Sequence, residues 1–111
     1  MATESRADLV GMFLDWDRAR FAGGVIPCAY DGEYVEALDA VGRGPSVTCA
    51  GERKSKTTAI LYGESGLTLL VTAGDTLDRV VRQSGDEEGA FLIKTIVHDG
   101  TGSATLVLEE V

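Results

Sequence analysis

The sequence FLIKTIVHDGTGSATLVLEEV at residues 91–111 contains two runs in which side chains alternate between two faces, as they do in β-strands. A glycine-containing turn at residues 98–103 separates the runs and would join them as an antiparallel hairpin. The second run places Leu106 and Leu108 on one face and Val107 on the other. Because both faces are apolar, we predict that this hairpin lies in the centre of its sheet.

Upstream of this hairpin, the chain contains further short apolar runs separated by turn-forming residues. They predict a hairpin over residues 25–41 with Asp31-Gly32 as its type I′ turn, and strands at residues 57–62 and 76–82. Residues 67–72 form either another strand or an irregular continuation. The fourteen glycines against two prolines are typical of a chain with many tight turns between short strands. These patterns all favour antiparallel β-structure.

A length of 111 residues fits a single domain with one modest core. We expect residues 1–24 to form an N-terminal segment and residues 25–111 to form the β body. The predicted fold is therefore mainly β, a small antiparallel β-barrel or sandwich with one N-terminal α-helix and a long mid-chain loop.

The predicted helix covers residues 6–21. Leu9, Met12, Phe13 and Trp16 follow one another at the spacing that places side chains on one face of a helix. The simpler interpretation of this aromatic face is that it packs on the β body. The alternative is that it anchors a partner protein, because tryptophan is favoured at the energetic centres of interfaces.

The predicted long loop covers residues 42–56. Arg43, Arg53, Lys54 and Lys56 place four of the ten basic residues of the chain in this loop. They could simply be a solvated charged surface. They could also form an assembly contact with an acidic surface, including that of a neighbouring identical subunit, because complementary charge sets the orientation of partners.

The net charge of −8 and a pI near 4.5 argue against nonspecific nucleic-acid binding as the main function, because phosphates repel such a chain. An acidic wall would still let DNA slide past without sticking. No apolar run approaches the ~18 residues of a membrane helix, so we expect no membrane partner. The N-terminus does not resemble a signal peptide, so we expect Cys28 and Cys49 to be reduced, buried thiols.

The sequence offers no catalytic or metal-binding pattern. The single histidine, His98, has no spacing that pairs it with a nucleophile, and Cys28 and Cys49 do not have zinc-ligand spacing. Residues 51–57 loosely resemble a phosphate-binding loop but lack the glycine before Lys56, and a strand pattern follows where a helix is needed. We therefore predict a protein that is not an enzyme and binds no cofactor or metal.

Three segments together resemble a known family. These are residues 26–32 (IPCAYDG), residues 73–77 (AGDTL) and the terminal hairpin at residues 91–109. In this order they resemble the lambda-type head–tail joining, or head-completion, proteins of tailed phages and prophages. Those proteins also place a Gly-Asp-Thr turn before an aromatic-led strand, an Asp-Gly turn and a closing strand. The turn between Arg82 and Phe91 is longer here than is usual in that family.

The resemblance implies a structural virion protein, made in the bacterial host cytoplasm, that forms a ring of six or twelve copies. The ring would lie in the neck, between the portal-side connector of a DNA-filled head and the tail proteins, and DNA would pass through its lumen. Residues 1–24 and 42–56 would become ordered on assembly. The alternatives are another phage structural component, such as a tail terminator or a capsid decoration protein, or a small β-barrel binding module.

Overall fold

The computed structural model describes residues 10–11, 13, 16–35, 43–98 and 102–111, with backbone alone for residues 33–35, 43 and 98. These residues form strands and one short 3-10 helix (Glu64–Gly66), and Val10 and Gly11 are helical. The strands are β1 (Asp17–Phe21), β2 (Gly24–Val35), β3 (Arg43–Arg53), β4 (Thr58–Tyr62), β5 (Thr68–Thr72), β6 (Thr76–Leu77), β7 (Arg79–Val81), β8 (Glu87–Glu88), β9 (Phe91–His98) and β10 (Ser103–Glu110).

The strands pair antiparallel in the order β6-β9-β10-β3-β2-β1-β7-β8. The predicted mainly antiparallel β architecture is therefore confirmed. Only Asp78 separates β6, which pairs with β9, from β7, which pairs with β1. The segment at residues 76–81 thus bonds to strands near both ends of the path, and the sheet rolls back on itself.

The rolled sheet encloses one apolar core. Its inward positions alternate along each strand, so that Leu106 of β10 faces its β3 partner Val47, and Ala104 faces Cys49. Ala19, Ile26, Leu77, Val80 and Ile93 complete the same cluster from the other strands. One face of a continuous sheet can line a single interior only if the sheet curls, which explains the rolled shape.

Strand β3 changes its pairing partners along its length, and its end adds β4 and β5 to the sheet. Residues 43–50 of β3 pair with β2 and β10, whereas residues 51–53 pair with β4, which in turn pairs with β5. Gly51 stands at the change of partner, and a Cβ atom there would lie 2.8 Å from the carbonyl oxygen of Ile60. The absence of a side chain therefore lets β4 approach β3 closely.

The terminal hairpin confirms its prediction, because β9 and β10 pair directly and each has a second neighbour, β6 and β3 respectively. The predicted strands at residues 57–62 and 67–72 correspond to β4 and β5. The strand predicted at residues 76–82 is interrupted at Asp78, where the chain changes its pairing partner from β9 to β1.

The predicted helix over residues 6–21 is wrong for residues 17–21, which form β1. In this strand Ala19 and Phe21 point into the core, while Arg18 and Arg20 point outward. This alternation of inward and outward side chains is typical of a strand. The helical spacing of the preceding aromatic residues does not continue into residues 17–21. The rest of the predicted helix lies mostly outside the described residues, namely residues 6–9, 12, 14 and 15.

The predicted loop over residues 42–56 is also wrong, because residues 43–53 form β3 and only residues 54–57 form a turn. Glycines suggested a loop at the level of sequence. One of them, Gly44, has φ +140°, and a Cβ there would lie 3.1 Å from the carbonyl oxygen of Leu108. It therefore serves close strand packing rather than loop flexibility.

The hairpin predicted over residues 25–41 has a different turn. Ala22-Gly23 joins β1 to β2, whereas Asp31-Gly32 lies within β2, at a shift in its register with β3. One extra residue on β2 at this point makes a bulge, which also uses the backbone freedom of glycine. Residues 36–41 of the prediction lie outside the described residues.

Candidate interaction surface

The turn between β3 and β4 carries three basic side chains, Arg53, Lys54 and Lys56, which we call the basic tip. The backbone N–H groups of Lys54 and Ser55 both donate to the carbonyl oxygen of Thr58, at 2.8 and 3.1 Å. The Nε of Arg53 donates to the Ser55 carbonyl oxygen at 3.0 Å. These bonds fix a short hairpin turn, so the three cations project from a defined structure.

The basic tip is exposed, and no carboxylate of the described residues forms an ion pair with it. Other arginines of the chain do have such partners. Arg18 lies 3.7 Å from Glu64, Arg79 lies 2.5 Å from Glu87, and Arg82 lies 3.7 Å from Glu88. On a chain of net charge −8, the tip is therefore a local patch of uncompensated positive charge.

Arg43 does not belong to the basic tip. It begins β3, and Arg53 ends the same strand, so ten residue steps separate them. A strand advances about 3.3 Å per residue, which corresponds to roughly 33 Å of chain. The prediction that all four basic residues share one loop is therefore wrong for Arg43, because the intervening residues are extended.

The N-terminal segment contributes to a second apolar cluster, on the outer face of β3 and β4. We call it the outer cluster, and it consists of Val10, Phe13, Ala50, Ile60 and Tyr62. The Tyr62 hydroxyl donates to the Oε2 of Glu52, at the base of the basic tip. Trp16 is 56% exposed, and Met12 lies outside the described residues. Phe13 thus packs on the β body, whereas Trp16 offers most of its surface to solvent.

Next to the basic tip, β5 pairs with β4 alone among the described strands, so its other edge is unpaired there, which the sequence did not reveal. The N–H of Ala73 donates to the Thr57 carbonyl oxygen at 2.7 Å, and in an antiparallel pair such bonding residues alternate. The backbone groups of Thr68 and Leu70 therefore point away from β4. Asp75 occupies the end of this edge, because its Oδ2 accepts the Thr72 N–H at 2.8 Å.

A second strand pair at the end of the strand order, which we call the acidic hairpin, covers residues 78–88 and includes β7 and β8. It contains four carboxylates and two guanidinium groups, a net charge of −2. The Arg82 N–H donates to the Asp86 carbonyl oxygen at 2.6 Å and closes its turn. In the described residues β8 pairs with β7 alone, so its other edge is also unpaired.

Asp17 adds a side-chain contact at the turn end of the acidic hairpin, whose strand β7 already pairs with β1. This carboxylate is 6% exposed, and it accepts the Tyr30 N–H at its Oδ2 and the Gln83 N–H at its Oδ1, both at 2.8 Å. The Arg82 guanidinium also lies 5.1 Å from the centre of the Tyr30 ring. Burial, followed by the Glu88 carboxylate, raises the pKa of Tyr30, so this phenol is neutral at neutral pH.

Cys28 and Cys49 are buried free thiols in neighbouring strands. Burial raises the pKa of Cys28 well above its ordinary range and that of Cys49 to about 12. The Cys49 thiol contacts the carbonyl oxygen of Ala104 at 3.9 Å. Both side chains are thus neutral core groups, and neither has the lowered pKa that a nucleophilic thiol needs.

Comparison with known proteins gave no relative: no protein-family model, curated protein or solved structure matches this chain. Within the part of the chain that the structure describes, no group of three or more His, Cys, Asp or Glu side chains could hold a metal ion. No helix in that part is long and apolar enough to cross a membrane. The functional argument therefore depends on the surfaces described above.

Proposed function

We propose that this protein is a structural subunit that joins the DNA-filled head of a tailed phage to the tail as part of a neck ring. The observation that carries the proposal is the basic tip, three exposed cations without an ion-pair partner among the described residues of an acidic chain. The mainly antiparallel β body supports the proposal, because that family has a small β-barrel or sandwich.

In this role the basic tip contacts an acidic surface in the assembled neck. Complementary charge contributes more to the orientation of the partners than to their affinity, which suits a subunit that must sit in one register. The remaining surface carries the negative charge of the chain. Such a surface repels DNA phosphates, so DNA in the lumen would pass without binding.

The test is a charge-reversed tip, Lys54→Glu with Lys56→Glu, supplied to the phage from which the gene has been deleted. Both lysines are exposed, so we expect an unchanged circular dichroism spectrum and melting temperature. We expect few infectious particles, with filled heads that lack tails in electron micrographs. A normal yield of infectious particles would contradict the role of the tip.

The matched control is Arg20→Glu with Lys94→Glu, which changes the net charge equally at two exposed strand positions outside the tip. We expect this variant to support normal particle yields. The deletion itself distinguishes the other structural roles. Tails of abnormal length indicate a tail terminator, and unstable heads indicate a decoration protein.

A further inference from the structure

We propose that the basic tip and the β5 edge of one copy bind the acidic hairpin of the next copy, so that copies join head to tail. This inference rests on the proposed ring and names the contact between its subunits. It commits to a second copy of this chain as the occupant of the β5 edge. The argument combines backbone bonding, charge and symmetry.

The two unpaired edges have complementary backbone groups. Thr68 and Leu70 direct their N–H and C=O groups away from β4. In the acidic hairpin, the bond from the Arg82 N–H to the Asp86 carbonyl sets the same alternation, so Glu87 directs its backbone groups away from β7. If Glu87 lies opposite Leu70 of the next copy, these two residues can therefore exchange two backbone hydrogen bonds.

This pairing also brings opposite charges together. Thr72 pairs with Thr58, directly after the basic tip, so the tip lies at the C-terminal end of β5. With the strands antiparallel and Glu87 opposite Leu70, Asp86 lies on the side of Leu70 that leads to Thr72 and the tip. The net negative charge of the acidic hairpin then faces the uncompensated positive charge of the tip.

Symmetry favours this contact over one between two β5 edges. A two-fold contact of β5 with β5 would leave the acidic hairpin unused. The cations of the basic tip would then not face the carboxylates of that hairpin. A contact between two different surfaces uses each surface once per copy. Such contacts form a closed ring when the rotation from one copy to the next is a whole fraction of a full turn. The proposed neck ring needs a contact of this kind.

The proposed contact between copies should have a low affinity. Asp75 blocks one end of the β5 edge, and exposed charge pairs stabilise a contact by ~1 kcal/mol or less each. Subunits would thus remain separate when dilute and associate when a platform concentrates them, because a high effective concentration compensates for low affinity. A short, blocked edge also protects the free protein against aggregation.

Cysteine cross-linking on the purified full chain tests the contact. A variant with both Leu70→Cys and Glu87→Cys is treated with a short bis-maleimide at about 1 mM protein, where a contact with a millimolar dissociation constant is roughly 40% occupied. We expect a ladder of dimers and larger species, because every copy then carries both partners of the contact. The native thiols are buried and serve as the background in each sample.

The single variants are the matched controls. Neither Leu70→Cys nor Glu87→Cys alone should cross-link, and an equimolar mixture of the two should give dimers and nothing larger. Dimers from Leu70→Cys alone would indicate a two-fold β5 contact and overturn the proposal. The absence of a ladder from the double variant would also overturn it.

Charge reversal tests the electrostatic part. Adding Lys54→Glu and Lys56→Glu to the Leu70→Cys chain should lower its cross-linking with the Glu87→Cys chain about tenfold, because like charges then meet. Adding Asp86→Lys to the Glu87→Cys chain should restore part of the yield. An unchanged yield in the first mixture would show that the tip does not contribute.

The two proposals fail in distinguishable ways. If the ladder is absent while the charge-reversed tip still produces filled heads without tails, the protein joins heads to tails through some other subunit contact. If the ladder forms while the phage with the deleted gene still joins its heads to tails, copies associate head to tail and the proposed role in the neck is wrong.

Discussion

The two faces of the β3–β4 pair are both apolar, but they are covered in different ways. Inward, Cys49 and Leu61 are enclosed by the entire rolled sheet. Outward, Ala50 and Tyr62 are covered by the N-terminal segment through Val10 and Phe13. All four strand side chains are nearly inaccessible, yet only the inward pair depends on the global fold. Burial alone therefore does not identify the residues that control unfolding, because one short segment that covers a buried side chain can detach locally.

The largest effect should come from the inward face. Leu106 is fully buried between strands β9 and β3, so Leu106→Ala should lower the free energy of unfolding by about 2–5 kcal/mol through lost burial and the cavity that remains. Urea denaturation measures this change. Leu70→Ala is the matched control, since Leu70 is 61% exposed and its loss should change stability by about 0.5 kcal/mol or less. Equal effects at both positions would contradict the assignment of the core.

The buried carboxylate should give the next largest effect. Asp17→Ala leaves the N–H groups of Tyr30 and Gln83 without their acceptor, which should cost about 2–3 kcal/mol because charged hydrogen bonds are the stronger kind. Hydrogen exchange should also accelerate at the Gln83 amide, since Asp17 accepts its hydrogen bond. An unchanged exchange rate there would show that the hairpin is held by other contacts.

The two core thiols should make stability depend on alkaline pH. Burial raises both pKa values, so the folded thiols retain protons that the unfolded chain loses above their ordinary pKa of 9.0. Their contribution is complete below about pH 9 and is lost as the pH rises towards 12, with a slope of about 1.4 kcal/mol per pH unit for each thiol. The variant with Cys28→Ala and Cys49→Ala should show a flatter decline in urea denaturation. Identical slopes would contradict the burial of the thiols.

The smallest effect should come from the outward face. Tyr62→Phe removes the hydroxyl that donates to Glu52 and retains the ring in the outer cluster, so the loss should be about 1 kcal/mol. A loss above about 3 kcal/mol in the same urea experiment would mean that the outer cluster unfolds together with the core. That result would remove the difference between the two faces.

Elements with a local signal were predictable from the sequence. The terminal hairpin follows directly from the alternation at residues 91–97 and 104–111, and its apolar faces correctly indicated that both strands have neighbours on each side. The errors arose where contacts between distant residues overrode local preference. Gly51 suggested a loop, but the structure uses it to bring β4 against β3.

The candidate surface was predictable only in part. Arg53, Lys54 and Lys56 are neighbours in the sequence, and any turn there would have grouped them. The β5 edge had no comparable signal, because an edge is defined by the strand that is absent from its side. The acidic hairpin was visible as a charged turn, but its attachment through Asp17 joins residues 66 positions apart.

By itself, the sequence determined the strand-rich character of the chain, its acidity and its one clear hairpin, because these depend on the order of neighbouring side chains. The tertiary structure decided which strands pair, where β3 changes partners and which edges remain open among the described strands. Those features arise from hydrogen bonds and packing between residues far apart in the chain, and their free energy exceeds the local preferences of glycine and charged residues. The surfaces on which both proposals depend belong to this second group.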